Sequence, residues 1–162
     1  MVTPPATSPE LISEAREFLA KFRSAQLATA SKDGVPLASY APFAMLDDGS
    51  IGMLLSELAA HTQNLRDNAS ASLLFIEPEA EAAEIFARRR LSFSCSAKLY
   101  SPGSAERAAV VSALKARFGN IAEQLASLPD FYGVVLKPDS ANYVAGFARA
   151  QQLPVDALLN TQ

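Results

Sequence analysis

The chain has 162 residues, 49% of them hydrophobic and 19% charged, with a formal net charge of −3. This is material for one domain, residues 1–162, with a real core; it excludes a disordered chain and the global positive field that draws a protein to nucleic acid or anionic lipid. One cysteine, Cys95, excludes an intramolecular disulfide and a multi-cysteine metal site.

No apolar run nears the roughly 20 residues that span a bilayer, and Met1–Glu10 lacks the basic and apolar parts of a secretory leader. The expectation is a cytoplasmic protein with neither membrane nor nucleic-acid partners. Residues 1–7 are rich in Pro and Thr and are expected to be loosely ordered. Ser8 then offers an N-cap with Pro9 in the first helical position. Leu11, Ala15, Phe18, Leu19 and Phe22 recur at helical spacing and predict a helix to about Arg23.

From Ser24 the period changes. Leu27 and Thr29 alternate with small residues before a turn at Lys32-Asp33-Gly34. Leu37, Ser39, Ala41, Phe43 and Met45 alternate with Ala38, Tyr40, Pro42 and Ala44 in a second strand. Asp47-Asp48-Gly49 signals a second hairpin into Ile51–Leu55, so the order reads as an antiparallel meander. Residues 53–76 then hold two strand-like runs, Met53–Leu55 and Ala71–Ile76, around a polar helical segment. That segment carries the only histidine, His61, beside Thr62, Gln63 and Asn64.

Glu77–Ala87 is acidic and reads as a loop or a short exposed helix. Arg88-Arg89-Arg90 leads into the cleanest alternation of the chain, with Leu91, Phe93, Cys95, Ala97 and Leu99 on one face. A helix starts near Ser104 and stops at Gly119. Asn120 and Glu123 read as a capping box for another, ending before Pro129. Phe131–Leu136 and Tyr143–Phe147 read as the last hairpin, turning at Lys137-Pro138-Asp139. The tail from Arg149 carries one apolar pair, Leu158-Leu159, and residues 154–162 are expected to be loose. The fold class is mainly β (α+β): a small antiparallel barrel of roughly six to seven short strands with flanking helices, a closure that removes exposed edges.

His61 is the sharpest site candidate. Protonated, it would donate a charge-assisted hydrogen bond to a phosphate; its ordinary alternative is a helix turn facing water. Thr62 and Asn64 could donate to the same anion, and both types are also common near helix starts. Ser56 either caps the turn after its strand or contacts the ligand. Arg88–Arg90 form an anion clamp or pair with Glu77–Glu84; Arg90, nearest the strand, is the one assigned to a ligand. Cys95 sits on the apolar face and reads as an inert buried thiol. No metal site and no catalytic acid or base is assigned.

The segment SELAAHTQNLRDNASASLLF resembles the corresponding stretch of haem-utilisation proteins related to pyridoxamine 5′-phosphate oxidase. RRRLSFSCSAKLY resembles that family's basic entry into a long strand, DFYGVVLKPDSANYVAGFARA its closing segment with a Gly-Phe-x-Arg-Ala turn, and PLASYAP the strand lining its flavin site. The resemblance implies an FMN-binding split β-barrel, a homodimer with its site at the subunit interface, and a flavin-dependent oxidoreductase acting on a small molecule. It puts His61 where the oxidase branch has a phosphate-binding lysine, and Ser39 where it has a strand arginine. By the same resemblance Ser39 and Tyr40 line the isoalloxazine or ribityl chain and Arg149 closes the site. Two alternatives stand beside this. One is a haem-binding protein on the same fold, although haem-degrading members use a tail histidine and residues 149–162 contain none. The other is a non-catalytic dimerisation or regulatory module with a decayed site.

Overall fold

The computed structural model describes residues 7–159. Helix α1 (Pro9–Leu19) begins as its sequence dictates: Leu11 N donates to Ser8 Oγ at 3.2 Å and Pro9 occupies the first turn. It ends before the expected Arg23, because Lys21 and Phe22 close a turn back onto Phe18 and Leu19 and strand β1 (Ser24–Ala30) follows at once. Ala15, Phe18 and Leu19 bury its inner stripe.

β1 pairs antiparallel with β2 (Pro36–Pro42). The expected second strand is broken at Phe43, and β3 (Ala44–Met45) pairs with β4 (Ile51–Ser56) around the Asp47-Asp48-Gly49 turn. Both hairpins therefore form, but they do not continue as a meander. β1 pairs instead with β5 (Ser70–Ile76) and β4 with β7 (Phe131–Val144). With β6 (Arg90–Tyr100) the order is β2-β1-β5-β6-β7-β4-β3, and β8 (Ala150–Leu153) adds to β7. These eight strands form one curled antiparallel sheet, the expected split-barrel α+β fold.

Three sequence expectations are corrected here. Residues 131–144 are one long strand, not a hairpin: the register shifts at Ser94/Cys95, so the extra residue Asp139 bulges out. Pro138 sits beside that bulge, where its missing N–H is tolerated. Asn120 is not a cap. Gly119, at φ 78°, closes α3 (Ala105–Phe118) by donating to Lys115 O at 2.7 Å, and α4 (Asn120–Ala126) starts directly after it. The tail is ordered as far as Leu159. Helix α5 (Val155–Leu159) buries Leu158 and Leu159, while residues 1–6 and 160–162, also expected to be loose, lie outside the described residues.

The barrel interior is aromatic and aliphatic. Phe75 is fully buried, with ring centroids of Phe43, Phe22 and Phe93 at 5.2, 5.7 and 6.0 Å in edge-on arrangements. Each such side chain contributes about 1.5–3 kcal/mol on burial. Cys95 is buried in the same core, and desolvation pushes its thiol up to about 12, so it is an inert thiol. The acidic stretch forms two short 3-10 turns, Glu79–Glu81 and Ile85–Ala87. No helix among the described residues is long and apolar enough to cross a membrane.

Candidate functional site

Helix α2 (Ala60–Asp67) follows β4 and packs on β1, with Thr62 and Leu65 buried. Its N-cap is Ala59, which offers no side-chain acceptor. The turn before it is held by Ser56, whose Oγ donates to Asp130 Oδ2 at 2.7 Å and accepts from Leu58 N at 3.2 Å. Ser56 thus caps the turn after its strand, while α2 itself has no side-chain cap. Gln63 Nε2 donates to Glu57 O at 2.6 Å, and Arg66 pairs with Glu57 at 2.8 Å.

His61 is brought onto β2. Its Nδ1 stands 3.0 Å from Ser39 Oγ, which donates to Leu27 O on the neighbouring strand at 2.9 Å. Asn64 Nδ2 donates to Thr29 Oγ1 at 3.0 Å, a second tie from α2 to the sheet, this one to β1. Burial lowers the pKa of the half-buried His61 below its ordinary value, so its ring is neutral near pH 7. Thr62, expected as an anion donor, is fully buried, and its Oγ1 has no hydrogen-bond partner among the described residues.

The remaining candidates stand elsewhere. Tyr40 follows Ser39 on β2 and alternation points it to the opposite face, where it is 61% exposed. Arg88 donates to Glu77 O and pairs with Glu79, and Arg89 pairs with Glu77, so both are tied into the acidic loop. Arg90 donates to Arg88 O at 3.0 Å and pairs with no carboxylate among the described residues. Arg90 opposes Val144, while Arg149 closes the adjacent turn through Ala145 N and pairs with Glu14 at 3.6 Å. Ser39, Leu27, Leu73 and Phe93 are register partners across four strands, so the two arginines lie displaced along the sheet from the Ser39–His61 pair. One chain brings Ser39, His61 and Asn64 together; it does not bring Arg90 and Arg149 to them.

Sequence reasoning missed Asp130, the acceptor that fixes Ser56, and Thr29, which holds Asn64. It also missed a cleft of about 1090 Å³ beside the arginine corner, where Phe86 and Phe147 are 84% and 77% exposed. Phe147 was visible as the aromatic of the Gly-Phe-x-Arg-Ala turn, but its exposure was not.

The model of the pyridoxamine 5′-phosphate oxidase family matches residues 11–145. The chain belongs to that family. Among its relatives is HutZ of Vibrio cholerae, a heme oxygenase, 37% identical over 147 residues, 91% of this chain and 83% of the relative. The crystal structure of HutZ, there called a heme storage protein, superposes with a TM-score of 0.74 at 36% identity, covering 78% of this chain and 89% of that one. ChuZ of Campylobacter jejuni gives a TM-score of 0.80 at 26% identity over 91% of this chain. A heme binding protein of Mycobacterium smegmatis gives 0.77 at 27% identity over 98% of this chain. The chain spans 60% and 62% of the length of these last two.

Proposed function

We propose that this member of the pyridoxamine 5′-phosphate oxidase family is a haem-utilisation protein that binds haem as a homodimer. The observation that carries the reading is His61: a neutral, half-buried imidazole where the resemblance implies a lysine. Charge-assisted donors hold a phosphate most strongly, and the one arginine of α2, Arg66, is already paired with Glu57. A neutral imidazole is instead the form in which histidine ligates a metal. The similarity to HutZ supports the same direction.

Bound haem would supply the iron and porphyrin chemistry. The chain's own residues bind and orient: His61 offers a nitrogen, Ser39 and Asn64 fix α2 against β2 and β1, and Arg90, unpaired with any described carboxylate, suits a propionate. Arg90 is displaced from His61 within one chain, so a site using both takes them from different protomers. The outer sheet face supports such a dimer. Gln26, Ala28, Tyr40, Leu74, Ser92 and Asn142 share it, all uncharged and at least partly exposed, and charge depletion marks interface cores.

FMN is the second reading. The family match and the N-terminus of α2, free of any side-chain cap, favour it. Parallel titrations with haem and with FMN separate the two. The expected result is a saturable Soret shift with haem and no change in flavin fluorescence. Stoichiometric FMN binding without a Soret shift would replace haem with flavin, and no binding of either would leave a dimerisation module with a decayed site.

A further inference from the structure

The cleft of about 1090 Å³ beside the arginine corner lies outside the Ser39–His61 arrangement. One wall is the acidic loop before β6, the other the turn that joins β7 to β8. Each presents a phenylalanine to water: Phe86 is 84% exposed and Phe147 77%. Both walls are held. Glu84 Oε1 accepts from Phe86 N at 3.1 Å and caps the turn Ile85–Ala87. On the other wall Ala145 N donates to Arg149 O at 3.0 Å and Arg149 N to Gly146 O at 3.2 Å. That turn keeps Ala148 at φ 56°, a left-handed backbone that L-residues rarely adopt. Two large apolar side chains fixed in water around one cleft mark an interaction surface.

The charge of the cleft is one-sided. Its lining cation, Arg89, is already engaged, paired with Glu77 at 3.2 Å and lying over the Phe18 ring at 5.6 Å. Glu81 and Glu84 also line it, are exposed, and pair with no cation among the described residues. Arg88 and Arg90 stand outside the lining.

We propose that this cleft docks a basic segment of a partner protein, an arginine of that segment lying against Phe86 and Phe147 with its guanidinium reaching Glu81 or Glu84. The chemistry selects the occupant. The face of a phenyl ring attracts a cation within about 6 Å of its centre. A planar guanidinium adds stacking and a bidentate fit to carboxylate that an ammonium lacks. Propionate or phosphate groups would meet the two unpaired carboxylates instead, so this is a site apart from that for haem or flavin and does not depend on that reading.

NMR of the nitrogen-15-labelled full chain, without cofactor, tests it. The probes are the blocked pentapeptide Leu-Arg-Leu-Arg-Leu and its counterparts with lysine or glutamine in place of both arginines. The arginine peptide is expected to shift the amides of residues 81–87 and 145–149 and to weaken as salt rises. It should bind more tightly than the lysine peptide and at least about 10-fold more tightly than the glutamine one. Phe86→Ser and Phe147→Ser should each weaken it by about 5-fold or more. Glu81→Gln combined with Glu84→Gln should abolish the preference for arginine over glutamine. All four side chains are exposed, so unchanged thermal unfolding in the variants separates docking from folding. Equal affinity for the arginine and glutamine peptides, shifts confined to other residues, or no shifts at about 1 mM peptide would overturn the proposal. So would sedimentation showing that Phe86→Ser or Phe147→Ser turns a dimer into a monomer, which gives the cleft to a second copy of this chain.

Discussion

Replacing Thr62 by valine sets the two possible roles of that residue against each other. As an anion donor near the start of α2, Thr62 would be needed for ligand binding. The structure makes it a liability instead: the side chain is fully buried and its hydroxyl has no partner among the described residues. A buried hydroxyl without a hydrogen bond costs about 1–3 kcal/mol, while Val fills nearly the same volume and has a similar helix propensity. Thr62→Val should therefore stabilise the fold by about 1–2 kcal/mol. For a chain of this length each kcal/mol moves Tm by about 2–4 °C, so calorimetry should show a rise of a few degrees, with ligand binding unchanged. A Tm that falls, or loss of haem or FMN binding, would refute the burial argument and return Thr62 to the site.

Other perturbations follow from the same structure. Phe75→Ala empties the meeting point of the Phe22, Phe43 and Phe93 rings; it should cost about 3–5 kcal/mol in urea unfolding, and a cost below about 1.5 kcal/mol, that of a tolerated volume-conserving swap, would mean the ring is not central. Gly133→Ala places a Cβ 2.9 Å from the Cα of Arg107, whose side chain is held by Phe131 O and Ala126 O. α3 cannot yield freely, and a loss of about 1–3 kcal/mol is expected from denaturant midpoints. Ser50 donates through side chain and backbone to Asp48, holding that carboxyl below its ordinary range. The stability it contributes is complete above about pH 3.9 and is lost as pH falls through the lower folded value. Ser50→Ala should shrink the acid-side fall in Tm, and an unchanged profile would remove the pair from the account. Ala28→Arg puts a charge on the uncovered sheet face at an exposed position; sedimentation should then report a monomer with unchanged circular dichroism, and a persistent dimer would move the interface elsewhere.

Local chemistry was legible wherever the signal was local. Ser8-Pro9 marked the start of α1, the alternation of Leu91, Phe93, Cys95 and Ala97 marked β6, and Gly119 marked the end of α3. Pro138 misled because Lys-Pro-Asp in mid-strand has the composition of a turn, and only the register of β6 against β7 turns it into a bulge. α5 is five residues long, too short to display a period. In the candidate site, the link between Ser39 and His61 depends on how α2 lies over β1 and β2. The displacement of Arg90 and Arg149 depends on strand register across the sheet. Neither is written in any single window of sequence.

The absorption spectrum of protein freshly purified from its own host, without added cofactor, tests the central claim most directly. A Soret band with the weaker visible bands of a haem, altered in His61→Ala, is the predicted result. The two-banded absorption of bound flavin, with no Soret band, would contradict it.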